Sequence, residues 1–367
     1  MAVNLGVIAA ARPPGPTPTP DNIDAGYEFS LYLSDVDVAY SWGLASFGRL
    51  GDNTTTNKST PVLVCGGYTF AKVRSGAEFG LGLTTSNVLY SWGYNNIGQL
   101  GDNSITSKST PIAVCGGLTF TQISAGYRHS LATTDTGITY AWGGGVFGRL
   151  GDNAASNRST PVAVCGGHTF SFINAGALNS FAITTSGVAY AWGNNGQGQL
   201  GDNSLLSRVT PVAICGGLTF KEINGGTNTT IGITTDGLAY GWGSNGGGAI
   251  GDNTVTSRLT PVATCGGLTF KQISLKVSHV LAVTTNGVAY SWGSNSTGQL
   301  GDNTTVNKST PVPVCGGLTF SLVSAGDTFS VGITTDGTVY AWGLNRNGQL
   351  GNNSTTNVST PVAVCVI

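Results

Sequence analysis

The sequence predicts an all-β chain folded as a seven-bladed β-propeller, and three observations carry that reading. Trp recurs as Trp42, Trp92, Trp142, Trp192, Trp242, Trp292 and Trp342, and Pro (61 to 361) and Cys (65 to 365) keep the same fifty-residue phase. Each unit holds four short runs rich in β-branched and aromatic residues, separated by Gly, Asn, Asp and Ser, which read as strands. No stretch has helical spacing with caps. A repeat of roughly 40 to 50 residues with four strands is the mark of a propeller blade, and seven blades lie within the usual range of four to eight.

Along the chain, residues 1–22 read as an arm and 23–367 as the propeller. The first ten residues are apolar, with Val3, Leu5, Val7 and Ile8 as docking side chains. They lack the basic start of a signal peptide and are too short to span a bilayer. Arg12 to Pro20 follows as a Pro-rich, extended spacer. An apolar decapeptide on a stiff spacer suits attachment to a larger assembly.

In the second copy, Phe70–Val73 is run A, Phe79–Thr84 run B, Val88–Trp92 run C and Pro111–Cys115 run D. Runs B and C meet at hairpin dipeptides such as Asp236-Gly237, Asn286-Gly287 and Asp336-Gly337. Cys115-Gly116-Gly117 reads as a similar short hairpin from run D into the next run A. On this reading a blade is D, A, B, C with D taken from the preceding copy. The long C-to-D connections then cross between blades. The last run D, Pro361 to Cys365, would close the ring by pairing with the N-terminal copy beside Ile23–Gly26. Gly101-Asp102-Asn103 and its counterparts read as turns in which Asp bonds nearby backbone, since one carboxylate per copy is too few for calcium.

Tyr340-Ala341-Trp342-Gly343, then Gly348-Gln349-Leu350-Gly351, then Pro361-Val362-Ala363-Val364, with Ser124 to Ala132 upstream in the third copy, resembles the RCC1 (regulator of chromosome condensation) repeat. The resemblance recurs seven times over about residues 23 to 365. It implies a seven-bladed propeller of that type and says less about activity, because relatives include a nucleotide-exchange factor, an enzyme inhibitor and many binding modules.

Composition narrows the function. Only 9% of residues are charged, against about 25% in typical globular chains, and the net charge is -1. Nucleic-acid binding, which needs clustered Lys and Arg, is disfavoured. The seven cysteines occupy one position in seven copies and read as small buried hydrophobes at a strand end, not as disulfides or a metal set. His129, His168 and His279 are the only histidines, and none has a recurring neighbour that would orient a base. No nucleophile elbow, paired carboxylate, phosphate loop or metal spacing is present, so the chain reads as a non-enzyme without cofactor. His129 and His279 take the position where RCC1-type repeats often carry His, which implies a structural role at a strand start. Lys58, Lys108, Arg158, Arg208, Arg258 and Lys308 each follow an Asp by six residues and read as surface ion pairs.

Alternating strand direction puts the A–B loops and the starts of the C–D connections on one face. There the copies differ most from each other. Candidate contact residues on this variable face are Tyr27, Glu28, Phe47, Glu78, Tyr94, Ile97, Tyr127, Arg128, Phe147, Leu178, Asn194 and Arg346. Large apolar and aromatic side chains gathered on one exposed face are typical of a contact surface. A lectin with one sugar site per blade would repeat its set in every copy, and this face does not. The expectation is a recognition propeller that binds a protein, or a surface glycan or receptor, and is carried on a larger particle such as a phage virion or tail. A soluble binding or inhibitory module, a lectin and a guanine-nucleotide exchange factor remain as alternatives.

Overall fold

A computed structural model describes residues 23–365; the arm expected over residues 1–22, including Val3, Leu5, Val7 and Ile8, lies outside the described residues. The first blade consists of β1 (Ile23–Ala25), β2 (Phe29–Leu33), β3 (Ala39–Gly43) and β4 (Lys58–Leu63), and the pattern continues to the last strand, Val358–Ala363. Among the described residues there are seven four-stranded antiparallel sheets, each in sequential strand order. The expected all-β, seven-bladed propeller is therefore present.

The expected strand exchange is not. The outer strand of every blade belongs to its own copy: Tyr40 pairs with Leu63, Ser41 with Val62 and Gly43 with Lys58, and the final strand pairs only with Val339–Gly343. The Gly-Gly segment is no two-residue hairpin. Gly66 and Gly67 have φ of 105° and 64°, and they sit in the middle of a link, residues 64–69, between the outer strand of one blade and the inner strand of the next. Six extended residues reach about 20 Å, enough to cover three strand spacings of about 4.8 Å. The long third-to-outer connection folds back within its blade and packs against its neighbour, with Asn53 N donating to Ser109 O at 2.9 Å.

What joins blades is the tryptophan. Each of the seven is buried, and its indole N–H donates to a main-chain carbonyl of the preceding blade: Trp92 to Arg49 O at 3.1 Å, Trp192 to Arg149 O at 3.0 Å, and at the seam Trp42 to Gln349 O at 2.9 Å. The glycine two residues after that carbonyl lets the ring approach. Gly51 has φ of 69°, and a Cβ there would meet the Trp92 ring at 2.9 Å. Phe70 tilts against Trp92 with centroids 6.0 Å apart, a pairing present with small variations in blades two to seven. The cysteines are free and half-buried, two residues beyond the outer strand. In the first copy the inward residue is Val64, not Cys65, which corrects the reading of Cys as a buried hydrophobe.

The inner strands are tied to each other at the channel edge. Asp24 Oδ2 accepts from Ser75 N at 2.7 Å, Ser124 Oγ from Ala175 N at 2.9 Å, Asn174 Oδ1 from Gly225 N at 3.1 Å, Ser274 Oγ from Ala325 N at 2.9 Å and Ser324 Oγ from Ala25 N at 3.0 Å. Blade seven thus contacts blade one as the others contact their neighbours. Trp42→Phe at the seam and Trp192→Phe across the ring both remove one of two donors to a buried carbonyl, Ser30 Oγ (3.3 Å) and Ser180 Oγ (2.8 Å) remaining, so urea denaturation should show a similar loss for each, about 0.5–1.5 kcal/mol. A much larger loss at Trp42 would mark the seam as a special interface.

Candidate functional site

Antiparallel pairing within blades places the A–B loops and the starts of the third-to-outer connections on one face, as expected. Those of the fifth and sixth blades share a pocket lined by Thr227, Asn228, Ser244, Gly246 and Val277. The hairpin turns and the Gly-Gly links lie together on the other face, as around Gly137 and Gly167. The face assignment survives the correction of the blade because strand direction alternates either way.

The variable face carries two kinds of loop. In copies two, four, five, six and seven an Asn follows Trp-Gly by two residues. Asn95 Oδ1 accepts from Leu100 N at 2.9 Å, and its Nδ2 donates to Asp102 Oδ1 at 3.0 Å. Copies one and three have Ala45 and Gly145 instead, together with Arg49 and Arg149 where four of the others have Gln. Their loops tighten into 3-10 turns, Ser46–Gly48 and Val146–Gly148, closed by Arg49 Nε to Ser46 O at 3.0 Å and Arg149 Nε to Gly144 O at 2.6 Å. The turn forces Phe47 and Phe147 to φ of 63°, a strained setting for a bulky residue. It also turns both rings outward, 45% and 44% exposed.

In blades one to three the candidate side chains form one run. The Phe47 and Tyr94 centroids are 4.3 Å apart, the Arg128 guanidinium lies 5.4 Å from the Tyr94 ring and 5.6 Å from the Tyr127 ring, and Tyr127 meets Tyr27 edge-on at 6.0 Å. Below it, Glu78 bridges Arg49 and Arg128 at 3.5 Å each. Burial lowers the pKa of Arg49, opposed by the nearby Glu78. Tyr27 and Tyr127 also line the mouth of the central channel.

Other candidates stand apart. Glu28 is buried and binds across the seam, to the exposed Arg346 and, at 2.8 Å, to Asn347 Nδ2. Beside it, burial and the Glu28 charge push Asp327 up to about 6, against a hydrogen bond from Tyr27. Ile97 leans on Gly144, and Asn194 Oδ1 caps Gly196 N at 3.0 Å. Phe147 lies in the third blade and Leu178 in the fourth; between them Arg149 of the third blade meets no carboxylate among the described residues, and burial lowers its pKa to about 10. Asp327 and the buried arginines were missing from the candidate set. The joint change at positions 45, 47 and 49 was the signal that could have exposed the latter.

Outside this face the structure agrees with bland readings. Asp102 Oδ1 accepts from Ser104 N at 3.1 Å, and the six Asp–Lys or Asp–Arg pairs span 2.7 to 4.0 Å. His129 and His279 start strands, are fully buried, and meet Ser180 and Ser330 of the next blade at 2.8 and 3.0 Å. Burial lowers both pKa values, that of His279 to about 4. Among the described residues no group of His, Cys, Asp or Glu could hold a metal, and no helix is long and apolar enough to cross a membrane.

The described residues form a ring of seven antiparallel sheets with one irregular face that carries aromatic side chains. The chain belongs to the RCC1-like domain family, whose description matches residues 14–318, and RCC1 repeats match residues 320–349 and 336–367. Propellers of this family are typically binding or exchange-factor modules rather than catalytic enzymes. No curated protein matches the sequence. Among solved structures, human WBSCR16 is similar with a TM-score of 0.82 at 18% identity, over 90% of this chain and 94% of that one. Prp20p of Saccharomyces cerevisiae, described with its binding properties to Gsp1p and histones, gives 0.79 at 23% over 92% and 88%. The ectodomain of the Arabidopsis thaliana receptor kinase ACR4 gives 0.59 at 16% over 95% and 98%. At these identities the likeness is one of fold.

Two titrations test the local electrostatics. The folded state holds the Asp327 proton more tightly than the unfolded chain does, so its ionisation costs stability as pH rises through about 6. Asp327→Asn should therefore raise Tm near pH 7.5 and leave it unchanged near pH 4. The histidines act in the opposite sense, because their neutral forms are favoured by folding and stability falls as pH drops from about 6.5 toward 4. His279→Phe, the residue present at Phe29, Phe79 and Phe329, should remove part of that acid loss in thermal melts.

Proposed function

We propose that the chain is a non-enzymatic recognition module that binds a protein through the variable face of blades one to three. The observation that carries this is the continuous run Phe47, Tyr94, Arg128, Tyr127 and Tyr27. Interface hot spots are enriched in Tyr, Trp and Arg set among tightly packed neighbours, and rings already stacked lose little freedom on binding. The strained Phe47 is consistent with this use, since strain of about 1–3 kcal/mol tends to persist at functional sites. RCC1-like propellers in general bind proteins, and the partners named for Prp20p, Gsp1p and histones, are proteins. The absence of a repeated polar set in the seven blades speaks against one glycan per blade.

The finer reading places this module on a larger particle, such as a virion or tail, held by residues 1–22. Its support is the sequence of the arm, with Val3, Leu5, Val7 and Ile8 ahead of a Pro-rich spacer.

Affinity capture from the native source, followed by titration of the recovered partner, tests both parts. Tyr94→Ala or Arg128→Ala should cost about 2 kcal/mol, roughly thirtyfold in Kd, while Phe147→Ala should cost under about 0.5 kcal/mol. A chain lacking residues 1–22 should keep the partner and lose co-purification with particles. Equal recovery by all variants would reduce the variable face to loop drift.

A further inference from the structure

Position 249 breaks the pattern of the variable face. Copies two, four, six and seven carry Gln99, Gln199, Gln299 and Gln349 there, all buried. Each Oε1 accepts from the main-chain nitrogen two residues back: Ile97 N at 3.2 Å, Gln197 N at 2.8 Å, Thr297 N at 2.9 Å and Asn347 N at 2.9 Å. Gln199 Nε2 also donates across the blade interface, to Asn228 Oδ1 at 3.4 Å. Copies one and three use an arginine, and copy five alone has a small residue, Ala249.

The place of the missing side chain stays open. The buried Ala249 lines a pocket of about 220 Å³ between the fifth and sixth blades. Gly246 and Gly247 line it from the loop, and a Cβ at 246 would have nothing within 4 Å. Across from them stand Val277 and Ser278 of the next blade, Ser278 at the position that Asn228 holds one blade earlier. Among the described residues that line the pocket none is ionisable. The loop frame is unaltered, since Asn245 Oδ1 still accepts from Ile250 N at 2.9 Å and its Nδ2 still donates to Asp252 Oδ1 at 3.2 Å. Gly247 N, by contrast, has no hydrogen-bond acceptor among the described residues, whereas its counterparts in the four Gln copies all do.

We infer that this pocket binds the acetamido group of an N-acetylated hexosamine, at one site per chain. What Ala249 lacks relative to Gln is a methylene and a carboxamide, which together amount to acetamide. The ligand methyl sits against Ala249 and Val277, the carbonyl oxygen accepts from Gly247 N, and the amide N–H donates to Ser278 Oγ. These are the contacts that Gln199 makes at its own interface, and they give the unpaired Gly247 N–H an acceptor. The sugar ring, attached at the amide nitrogen, lies among Thr227, Asn228 and Ser244, whose hydroxyl and amide groups suit sugar hydroxyls. A neutral lining disfavours an ionised ligand. The volume falls short of the roughly 300–1,000 Å³ of drug-sized sites and suits one monosaccharide.

Saturation-transfer NMR of the whole chain with N-acetylglucosamine and, separately, N-acetylgalactosamine tests this. At least one should bind with a Kd of about 1–10 mM, with the strongest saturation on the acetyl methyl protons. Glucose, which lacks the acetamido group, should bind about tenfold more weakly or not at all. Ala249→Gln puts back the side chain of four other copies and should abolish binding while Tm holds or rises, so the loss cannot be a folding defect. Ser278→Ala should weaken binding several-fold. Neither change touches Tyr94 or Arg128, so sugar binding and protein capture by blades one to three are read separately. No saturable binding of either sugar below about 50 mM, glucose binding as tightly, or binding that survives Ala249→Gln would overturn the inference. Tighter binding of the tripeptide Gly-Gln-Gly than of either sugar would overturn it too, in favour of an amide side chain from a protein.

Discussion

The bond from each indole N–H to a main-chain carbonyl of the preceding blade is the contact on which the rest of the ring depends. It sets a large buried side chain across every blade interface and satisfies the indole donor there, so burial of the ring leaves no polar atom stranded. Because the acceptor is backbone, the side chain of the accepting residue is free to change. It is Arg, Gln or Ala in different copies, and that freedom lets one rigid frame carry unlike surfaces.

The variable face exploits it. In copies one and three the accepting residue is an arginine that turns back into its own loop, replaces the Asn bracket of the other copies and swings a phenylalanine outward. In blade one that arginine is matched by Glu78 and the phenylalanine joins a stack. In blade three neither happens. The same local switch therefore yields a packed aromatic pair in one place and an exposed ring in another, and the neighbour fifty residues on decides which.

Much of this is legible in the sequence. Period, strand content and the exchange of loop and turn between faces follow from Trp, Gly-Gly and Asp-Gly spacing, and comparing copies picked out Phe47, Tyr94, Tyr127 and Arg128. Two things were not legible. Blade membership of the outer strand depends on how far residues 64–69 stretch, and a Gly-Gly pair looks like a two-residue turn on paper. Side-chain partners such as Tyr27 with Tyr127, or Glu28 with Arg346, lie across blades and depend on the curvature of the ring. Glu28 looked like a surface acid for that reason, although it is buried.

Closure without an exchanged strand makes the seam ordinary. The first and last blades meet through the same indole bond and the same Asn N to main-chain O contact (Asn353 to Ser59, 2.9 Å) as the other pairs, and through an edge bond at the channel of the kind four other pairs make. The order of the copies around the circle is then independent of where translation starts. Any of the six links could serve as the opening of the chain, and unequal recombination between near-identical copies would cut and rejoin whole blades instead of splitting one.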